Sequence, residues 1–294
     1  MMRAAIAIGS NSTRMLCAEK TEQGLKNILR GREETRLFSA LDDHGFFPEE
    51  KILETVEAVK NLYEAAVRHG AADCALFATS ASRDAKNSHL LAQKIFEYTG
   101  LNMQVITGEE EARLAFAACA GQQKTLVMDI GGGSTELTLG ENGQIFSAAS
   151  AQMGASRLMK MQPIHNAVQA EQALLLARNA MQPFTDALKE RMEGAVLVGI
   201  GGTCTAAAGI RAGVFFDADT MEGAAVTLQE ARRQLFMLAD MPLHQRELVP
   251  GLPATRAMHM PNGLCILIGV MELMGFDSLS VSGRNNLDGY LLSV

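Results

Sequence analysis

The stretch LVMDIGGGSTEL, residues 126–137, indicates the fold most directly. An apolar strand meets three consecutive glycines, and the alternating stretch STELTLG (134–140) then predicts a second strand. The turn signal ENG (141–143) leads to QIFSAAS (144–150), which is predicted to be a third strand. A Walker loop needs Gly-Lys-Ser/Thr followed by a helix, and a dinucleotide fingerprint also needs a helix. The glycine turn is therefore predicted to join two strands of a hairpin.

The N-terminus repeats this layout. RAAIAIG (3–9) reads as a strand that is broken by SNS (10–12), and TRMLCAEK (13–20) reads as the next strand. A third strand is expected near residues 25–38, and helices and strands alternate after it in each half. The same order of elements therefore begins near residue 1 and again near residue 124.

A duplicated order of this kind is the layout of the actin-like, ribonuclease H-like α/β fold. It predicts two domains, residues 1–123 and 124–294, with a hinge near 121–125 and an interdomain cleft.

Composition narrows the possible functions. The 294 residues carry a net charge of −7, which is unfavourable for general nucleic-acid binding. No apolar run approaches the length of a membrane span, and the N-terminus lacks the apolar core of a signal peptide, so we expect a cytoplasmic protein without a membrane partner. The five cysteines form no C-x-x-C pair, which argues against a disulfide framework or a zinc site.

The two glycine- and serine-rich turns are predicted to bind phosphate. Glycine lets backbone N–H groups approach an anion closely, and the hydroxyl groups add donors. The two turns occupy equivalent places in the duplicated halves and are expected to face each other across the cleft. The alternative is an ordinary tight hairpin. The candidate phosphate-binding residues are Ser10, Asn11 and Ser12 in the first turn and Gly131, Gly132, Gly133 and Ser134 in the second.

A third candidate phosphate site follows the strand AVLVGIGG (195–202), where Gly201, Gly202 and Thr203 begin a predicted helix. A helix N-terminus favours anions. The alternative is a turn that allows close packing of the strand against the helix.

Several charged residues are candidates for acid, base and metal chemistry. Glu109, Glu110 and Glu111 begin a predicted helix, where successive side chains point about 100° apart, so one or two of them can face the cleft. Such a glutamate could orient a water molecule, although carboxylates here also suit the helix dipole. Asp129 and Glu136 flank the glycine turn and are the natural pair for Mg²⁺. The alternative for Glu136 is an outward-facing strand residue.

Arg83 follows the predicted strand CALFATS (74–80). A guanidinium at a strand end can bind phosphate through two nitrogens. The alternative is a salt bridge to Asp84 or to another neighbour.

Taken together, these segments resemble the exopolyphosphatase/guanosine pentaphosphate phosphohydrolase (Ppx/GppA) family. The resemblance implies an actin-like fold and Mg²⁺-dependent removal of terminal phosphate from polyphosphate or guanosine pentaphosphate. It also implies that the catalytic glutamate is Glu111, directly before the alanine of the E-E-A-R motif. The matching stretches are AIAIGSNSTRML (5–16), ATSASRDAKN (78–87), ITGEEEARLAF (106–116), LVMDIGGGSTEL (126–137) and VGIGGTCTA (198–206).

By the same resemblance, the phosphate and metal contacts map to residues of the two turns and their surroundings. They are Ser10, Asn11, Ser12, Arg83, Asp129, Gly131, Gly132, Gly133, Ser134 and Glu136. The length looks like the short form of the family, without an added C-terminal HD-type domain. The sequence leaves the oligomeric state open, including a homodimer.

The chain departs from the family pattern at the first strand and near the C-terminus. Ala7 stands where the family has an aspartate that faces the metal, and RAMHMPNG (256–263) and VSGRNNLDG (281–289) are divergent. Three functions follow as hypotheses. The first is a phosphoanhydride hydrolase, and the second is a weakly active or inactive regulatory protein that binds polyphosphate or a nucleotide. The third is an actin-like small-molecule kinase, because fold does not fix function.

Overall fold

The computed structural model describes residues 1–119 and 121–294, and it describes Asn27 by its backbone only. The chain divides into two compact units. Unit one comprises Met1–Ala118 together with Asn286–Val294, and unit two comprises Cys119–Asn285.

Unit one is built on a five-stranded sheet in the order β3-β2-β1-β4-β5. The first three strands form an antiparallel meander, and β4 and β5 continue parallel to β1. The elements are β1 (Met2–Ile8), β2 (Thr13–Thr21), β3 (Gly24–Glu33), α1 (Glu49–Arg68), β4 (Cys74–Ala78), α2 (Ser80–Asp84), α3 (Ser88–Thr99), β5 (Met103–Val105), α4 (Gly108–Cys119) and, at the chain end, α12 (Asn286–Ser293).

Helices cover both faces of this sheet. Val56 and Val59 of α1 share one buried cluster with Ile6 and Ile8 of β1. On the other face, Leu287 of α12 packs in a cluster with small residues of β1. The alternation of buried side chains along β1 therefore feeds two separate cores, as expected for a strand with both faces covered.

Unit two contains a six-stranded sheet in the order β10-β11-β9-β6-β7-β8. Its buried core surrounds α11, in which every residue from Met260 to Met271 is buried. The elements are β6 (Thr125–Ile130), β7 (Thr135–Glu141), β8 (Gln144–Ala151), α5 (Ala155–Met161), α6 (Ala167–Lys189), β9 (Val196–Ile200), α7 (Gly201–Ala212), α8 (Ala218–Met221), β10 (Ala224–Thr227), α9 (Leu228–Ala239), α10 (Leu243–Arg246), α11 (Met260–Met274) and β11 (Ser278–Val281).

The two sheets share one topology. In each unit an antiparallel meander is followed by two strands parallel to its first strand, namely β4 and β5 in unit one and β9 and β11 in unit two. β10 adds an antiparallel edge to the second sheet only. The predicted repetition of elements is therefore seen in the two units.

Two details differ from the sequence-based expectation. The third strand ends at Glu33 rather than near residue 38, and Arg36 takes a positive φ of 46° directly after it. The C-terminal helix α12 packs on β1 and β2 of unit one, whereas the predicted domain 124–294 assigns it to the second half. Within the part of the chain that the structure describes, no helix is both long and apolar enough to cross a bilayer.

Candidate active site

The two predicted phosphate turns have the same backbone geometry. In unit one the Gly9 N–H donates to the Ser12 carbonyl at 3.0 Å, and in unit two the Gly131 N–H donates to the Ser134 carbonyl at 3.0 Å. Each turn joins the first two strands of its sheet. The equivalence predicted from the sequence therefore extends to individual hydrogen bonds.

In unit two the carbonyl groups of the glycine turn are occupied by donors from the first turn of α5. Three backbone amides and one side chain take part. The bonds run from Ala155 N–H to Gly131 O (2.9 Å), from Ser156 N–H and Arg157 N–H to Gly132 O (2.9 and 3.0 Å), and from Arg157 Nε to Gly133 O (2.7 Å). The N–H groups of Gly132 and Gly133 have no hydrogen-bond partner among the described residues. These N–H groups are therefore available to a ligand.

In unit one, the carbonyl groups of the turn accept hydrogen bonds from the segment that follows β3. The Ser10 carbonyl accepts from the Phe38 N–H at 2.9 Å, and the Asn11 carbonyl accepts from the Arg36 N–H at 2.8 Å. In both units the donors come from the segment directly after the meander. A turn whose carbonyls are held in this way presents backbone N–H groups, which is the arrangement that binds anions.

Close contact between α5 and the glycine turn requires Gly154. A β-carbon at this position would lie 2.5 Å from the carbonyl carbon and oxygen of Gly132 and 2.6 Å from the Gly133 nitrogen. These are backbone atoms, so they could not move aside as a flexible side chain would. Gly154 therefore belongs to the candidate site, and no motif in the sequence predicts this role.

The two candidate metal ligands form a cross-strand pair. Asp129 of β6 lies directly opposite Glu136 of β7, so both carboxylates are on one face of the sheet. They are 6% and 2% exposed, and the Ser150 hydroxyl donates to Glu136 Oε1 at 2.7 Å. The burial of Glu136 contradicts the alternative of an outward-facing strand residue.

These carboxylates fit a magnesium ion bound together with phosphate. Among the described residues, no group of three or more His, Cys, Asp or Glu side chains is arranged to hold a metal. Mg²⁺, however, is usually bound by one or two carboxylates, with water and substrate phosphates completing its octahedron. Two like charges directly opposite each other on a sheet are unfavourable unless something offsets them. Asp129 and Glu136 therefore suit a cation that arrives with its substrate.

The start of α7 adjoins this pair. Gly201 has a φ of +77°, and a β-carbon there would lie 2.5 Å from Asp129 Oδ1. At Gly202 the added β-carbon would overlap the guanidinium of Arg256, at 1.6 Å from its central carbon. Burial raises the pKa of the Cys204 thiol, the charge of Asp129 raises it further, and that of Arg256 lowers it. A negative and a positive charge therefore both lie near the first turn of α7.

Arg256 is a candidate site residue that sequence reasoning missed. It lies 54 positions after Gly202 (256 − 202), and no spacing or motif connects the two. Thr203 shows the opposite outcome, because a β-carbon at Gly263 of α11 would lie 2.4 Å from the Thr203 hydroxyl. The Thr203 side chain therefore packs between helices, which favours the packing alternative over phosphate binding for its hydroxyl.

In unit one, the buried Glu111 and the partly buried Arg83 form an ion pair. Arg83 Nη1 donates to Glu111 Oε2 at 3.0 Å and to the Ile106 carbonyl at 3.0 Å, and Glu111 is 7% exposed. The two residues come from α2 and α4, so the predicted base and the predicted cation are brought together. Arg83 thus has the salt bridge of the alternative interpretation, but with Glu111.

The other two glutamates of this cluster are not equivalent to Glu111. Glu110 accepts from the N–H and the hydroxyl of Thr107, at 2.7 and 3.0 Å, and closes the start of α4. These bonds, the backbone bond first, lower the pKa of Glu110. Glu109 is exposed. Of the three, only Glu111 is both buried and held by a cation.

Two buried hydroxyls lie next to Arg83 in the chain. Ser80 Oγ and Ser82 Oγ are inaccessible to solvent and have no hydrogen-bond partner among the described residues. A buried hydroxyl without a partner is unusual in a native protein and is expected to be satisfied by a ligand or by water.

The expectation that both phosphate turns line one cleft stays a prediction.

Comparison with known proteins places this geometry in a family. The family model described as "Ppx/GppA phosphatase family" matches residues 16–294. A guanosine-5'-triphosphate,3'-diphosphate pyrophosphatase of Vibrio vulnificus is 30% identical over 95% of this chain and 56% of its own length. A bifunctional 3-dehydroquinate synthase/phosphatase of Fusobacterium nucleatum is 27% identical over 99% of this chain and 46% of its own length. The chain thus spans about half the length of these curated relatives.

Solved structures agree on the fold. The Aquifex aeolicus PPX-GPPA enzyme superposes with a TM-score of 0.83 at 25% identity, covering 100% of this chain and 99% of that one. An exopolyphosphatase from Cytophaga hutchinsonii superposes with a TM-score of 0.90 at 21% identity, covering 100% and 97%. The predicted actin-like α/β fold is confirmed by these matches. Because the family model matches residues 16–294 of this chain, the chain belongs to the Ppx/GppA phosphatase family.

Proposed function

We propose that this protein releases terminal orthophosphate from a phosphoanhydride chain, either inorganic polyphosphate or guanosine pentaphosphate. The observation that carries the proposal is the state of the glycine turn in unit two. Its three carbonyls are held by α5 and Arg157, whereas the N–H groups of Gly132 and Gly133 are left for an anion. The matching turn in unit one supplies a second candidate phosphate contact.

The chemical step balances with residues of this chain. A water oxygen attacks the terminal phosphorus, the bridging P–O bond breaks, and the products are orthophosphate and a chain one phosphate shorter. Glu111 orients the water and accepts its proton, while Arg83 fixes the Glu111 carboxylate through the 3.0 Å bond.

Mg²⁺ is proposed as the cofactor, with Asp129 and Glu136 as its protein ligands. When bound, it supplies neutralisation of the negative charge on the transferring phosphoryl group. The cross-strand carboxylates are prepared for this role, since Ser150 orients Glu136 and the start of α7 lies against Asp129.

The choice between the two substrates draws on relatives. One relative is a guanosine-5'-triphosphate,3'-diphosphate pyrophosphatase, and one structural neighbour is an exopolyphosphatase. Both substrates end in a phosphoanhydride, so one phosphate site serves either.

A regulatory protein that binds such a ligand without turnover is the second candidate, and Ala7 in place of the family aspartate favours it.

A phosphate-release panel tests the proposal. Purified protein is incubated with Mg²⁺ and either long-chain polyphosphate or guanosine pentaphosphate, and orthophosphate is measured beside a Glu111→Ala control. Release above the control is expected for at least one substrate. Binding by calorimetry without release would favour the regulatory candidate, and neither binding nor release would reject both. ATP consumption that requires an added sugar or acid acceptor would instead indicate a kinase.

Gly154→Ala is expected to raise KM for the phosphate substrate by about 10–100-fold. The added β-carbon would displace the backbone of Gly132 and Gly133, and a lost hydrogen bond to a charged group costs about 1.5–3 kcal/mol. Initial rates are measured well below the melting temperature of the variant. An unchanged KM would show that these amides do not contact substrate.

Ala7→Asp is expected to raise the apparent affinity for Mg²⁺, or the Mg²⁺-dependent rate. Ala7 precedes its turn by the same spacing as Asp129, so the new carboxylate would occupy the equivalent place in unit one. Ala7→Asn is the matched uncharged control, because Ala7 is buried and a larger side chain carries a packing cost of its own. If Ala7→Asp and Ala7→Asn behave alike, the metal is positioned by other groups.

A further inference from the structure

A pocket of about 560 Å³ opens in unit two among α5, the segment before α6, the end of α9 and α10. All of its lining residues belong to unit two, and none is a candidate residue of the phosphate site. Its volume is that of a site for a small organic ligand.

The wall of this pocket is mostly aliphatic and adaptable. Met159, Met241 and Met258 contribute thioether chains, which adjust to irregular ligands, and Ile164 and Leu243 complete the apolar surface. Met258 and Leu243 are exposed, so part of this apolar surface is open to solvent. An occupant is therefore expected to have an apolar body.

One buried cation also lines the pocket. Arg246 is 5% exposed, and its Nε donates to the Met241 carbonyl at 2.9 Å, while Nη2 donates to the Ile164 carbonyl at 2.7 Å and to the Ala239 carbonyl at 3.4 Å. Among the residues described, Nη1 has no hydrogen-bond partner and no carboxylate pairs with the guanidinium. Burial lowers the pKa of Arg246.

The local charge around Arg246 sets the charge of the ligand. The Met241 and Ala239 carbonyls lie at the C-terminal end of α9, whose dipole offsets part of the positive charge. Asp240 and His165 also line the pocket, but both are exposed and their fields are weakened by solvent. The remaining positive charge of Arg246 favours a ligand with one negative charge at Nη1. It disfavours a polyanion such as the substrate proposed for the phosphate site.

We propose that this pocket binds a medium-chain aliphatic carboxylate, with its chain among the methionines and its carboxylate at Arg246 Nη1. A charge-assisted bond to a guanidinium is about twice as strong as a neutral one, and here it forms away from bulk water. The proposal is independent of the phosphohydrolase activity, since it concerns other residues and another ligand class.

Calorimetric titration of the full chain with decanoate tests the proposal, with 1-decanol and butyrate as the ligands that lack the charge and the chain. Decanoate is expected to bind at least tenfold more tightly than either. Equal binding of decanoate and decanol, or no heat of binding at millimolar decanoate, would overturn the proposal.

Three variants test whether the ligand binds in this pocket. Leu243→Asp puts a negative charge on the pocket wall and is expected to weaken decanoate binding at least tenfold. Leu175→Asp changes an exposed leucine of α6 that does not line the pocket, and it should leave the affinity unchanged. Arg246→Gln should reduce the preference for decanoate over decanol, provided that its melting temperature shows a folded protein. Equal affinities of Leu243→Asp and Leu175→Asp would place decanoate elsewhere.

Discussion

Glu111→Gln is expected to lower kcat for phosphate release by about 10²–10⁴-fold while substrate binding changes little, which is the usual loss when a general base is removed. The glutamine side chain has the same shape and keeps a carbonyl oxygen. This oxygen can accept the hydrogen bond that Arg83 Nη1 donates to Glu111 Oε2 at 3.0 Å. The variant therefore removes the base and leaves the local packing in place. Initial rates with saturating substrate give kcat, and calorimetry of the variant with the intact substrate gives affinity.

Two other variants separate catalysis from stability. Glu109→Gln changes the exposed neighbour on the same helix turn and should keep the wild-type rate. Glu111→Ala removes the carboxylate partner of the partly buried Arg83, which keeps only its bond to the Ile106 carbonyl among the bonds described above. Its melting temperature should fall well below that of Glu111→Gln. Full activity of Glu111→Gln would assign the base to another residue.

Short-range patterns predicted the strands and turns of the site. The alternation after residue 134 and the triple glycine fixed the β6–β7 hairpin, and Gly201-Gly202 marked the junction of β9 with α7. These predictions succeed because hairpin turns and strand ends depend on residues within a few positions of each other.

Contacts between distant segments were outside the reach of such reasoning. The packing of Arg256 on Gly202, the salt bridge between Arg83 and Glu111, and the fit of Gly154 against the glycine turn each depend on tertiary structure. The return of α12 to unit one was also missed, because this short segment has no local pattern that indicates which sheet it covers. A local pattern shows that a face is apolar but not what covers it.

The equivalent rows of residues in the two duplicated sheets differ in charge. In unit one, the residue before the turn is Ala7, and the residues opposite it across the meander are Arg14 and then Arg32. In unit two, the same row is Asp129, Glu136 and Ser150. The acidic row suits phosphate only through a cation, whereas in unit one Arg32 already pairs with Glu34 and Arg14 Nη2 lies 3.5 Å from Asn286 Oδ1. This difference is the reason why a metal site is proposed in unit two alone.

Asp129→Asn is therefore expected to reduce kcat/KM by about 10²-fold or more at low millimolar Mg²⁺. The asparagine is nearly isosteric, but it removes one of the two negative charges of the proposed metal site, and a metal ion contributes several kcal/mol to stabilising transition-state charge. Raising the Mg²⁺ concentration should restore part of the activity. Loss of a phosphate contact would not respond to Mg²⁺ in this way.

The melting temperature tests the same proposed metal site without turnover of a substrate. Ligand binding to the native state raises the melting temperature according to its concentration and dissociation constant. Mg²⁺ with a non-hydrolysed phosphate ligand should therefore stabilise the wild-type protein more than Asp129→Asn. The exposed Asp219→Asn is the matched control and should behave as wild type, because Asp219 lies on α8, outside the carboxylate pair. If Asp129→Asn kept the full Mg²⁺-dependent shift and the full rate, the cross-strand pair would not be the metal site, and Mg²⁺ would have to enter on the substrate phosphates alone.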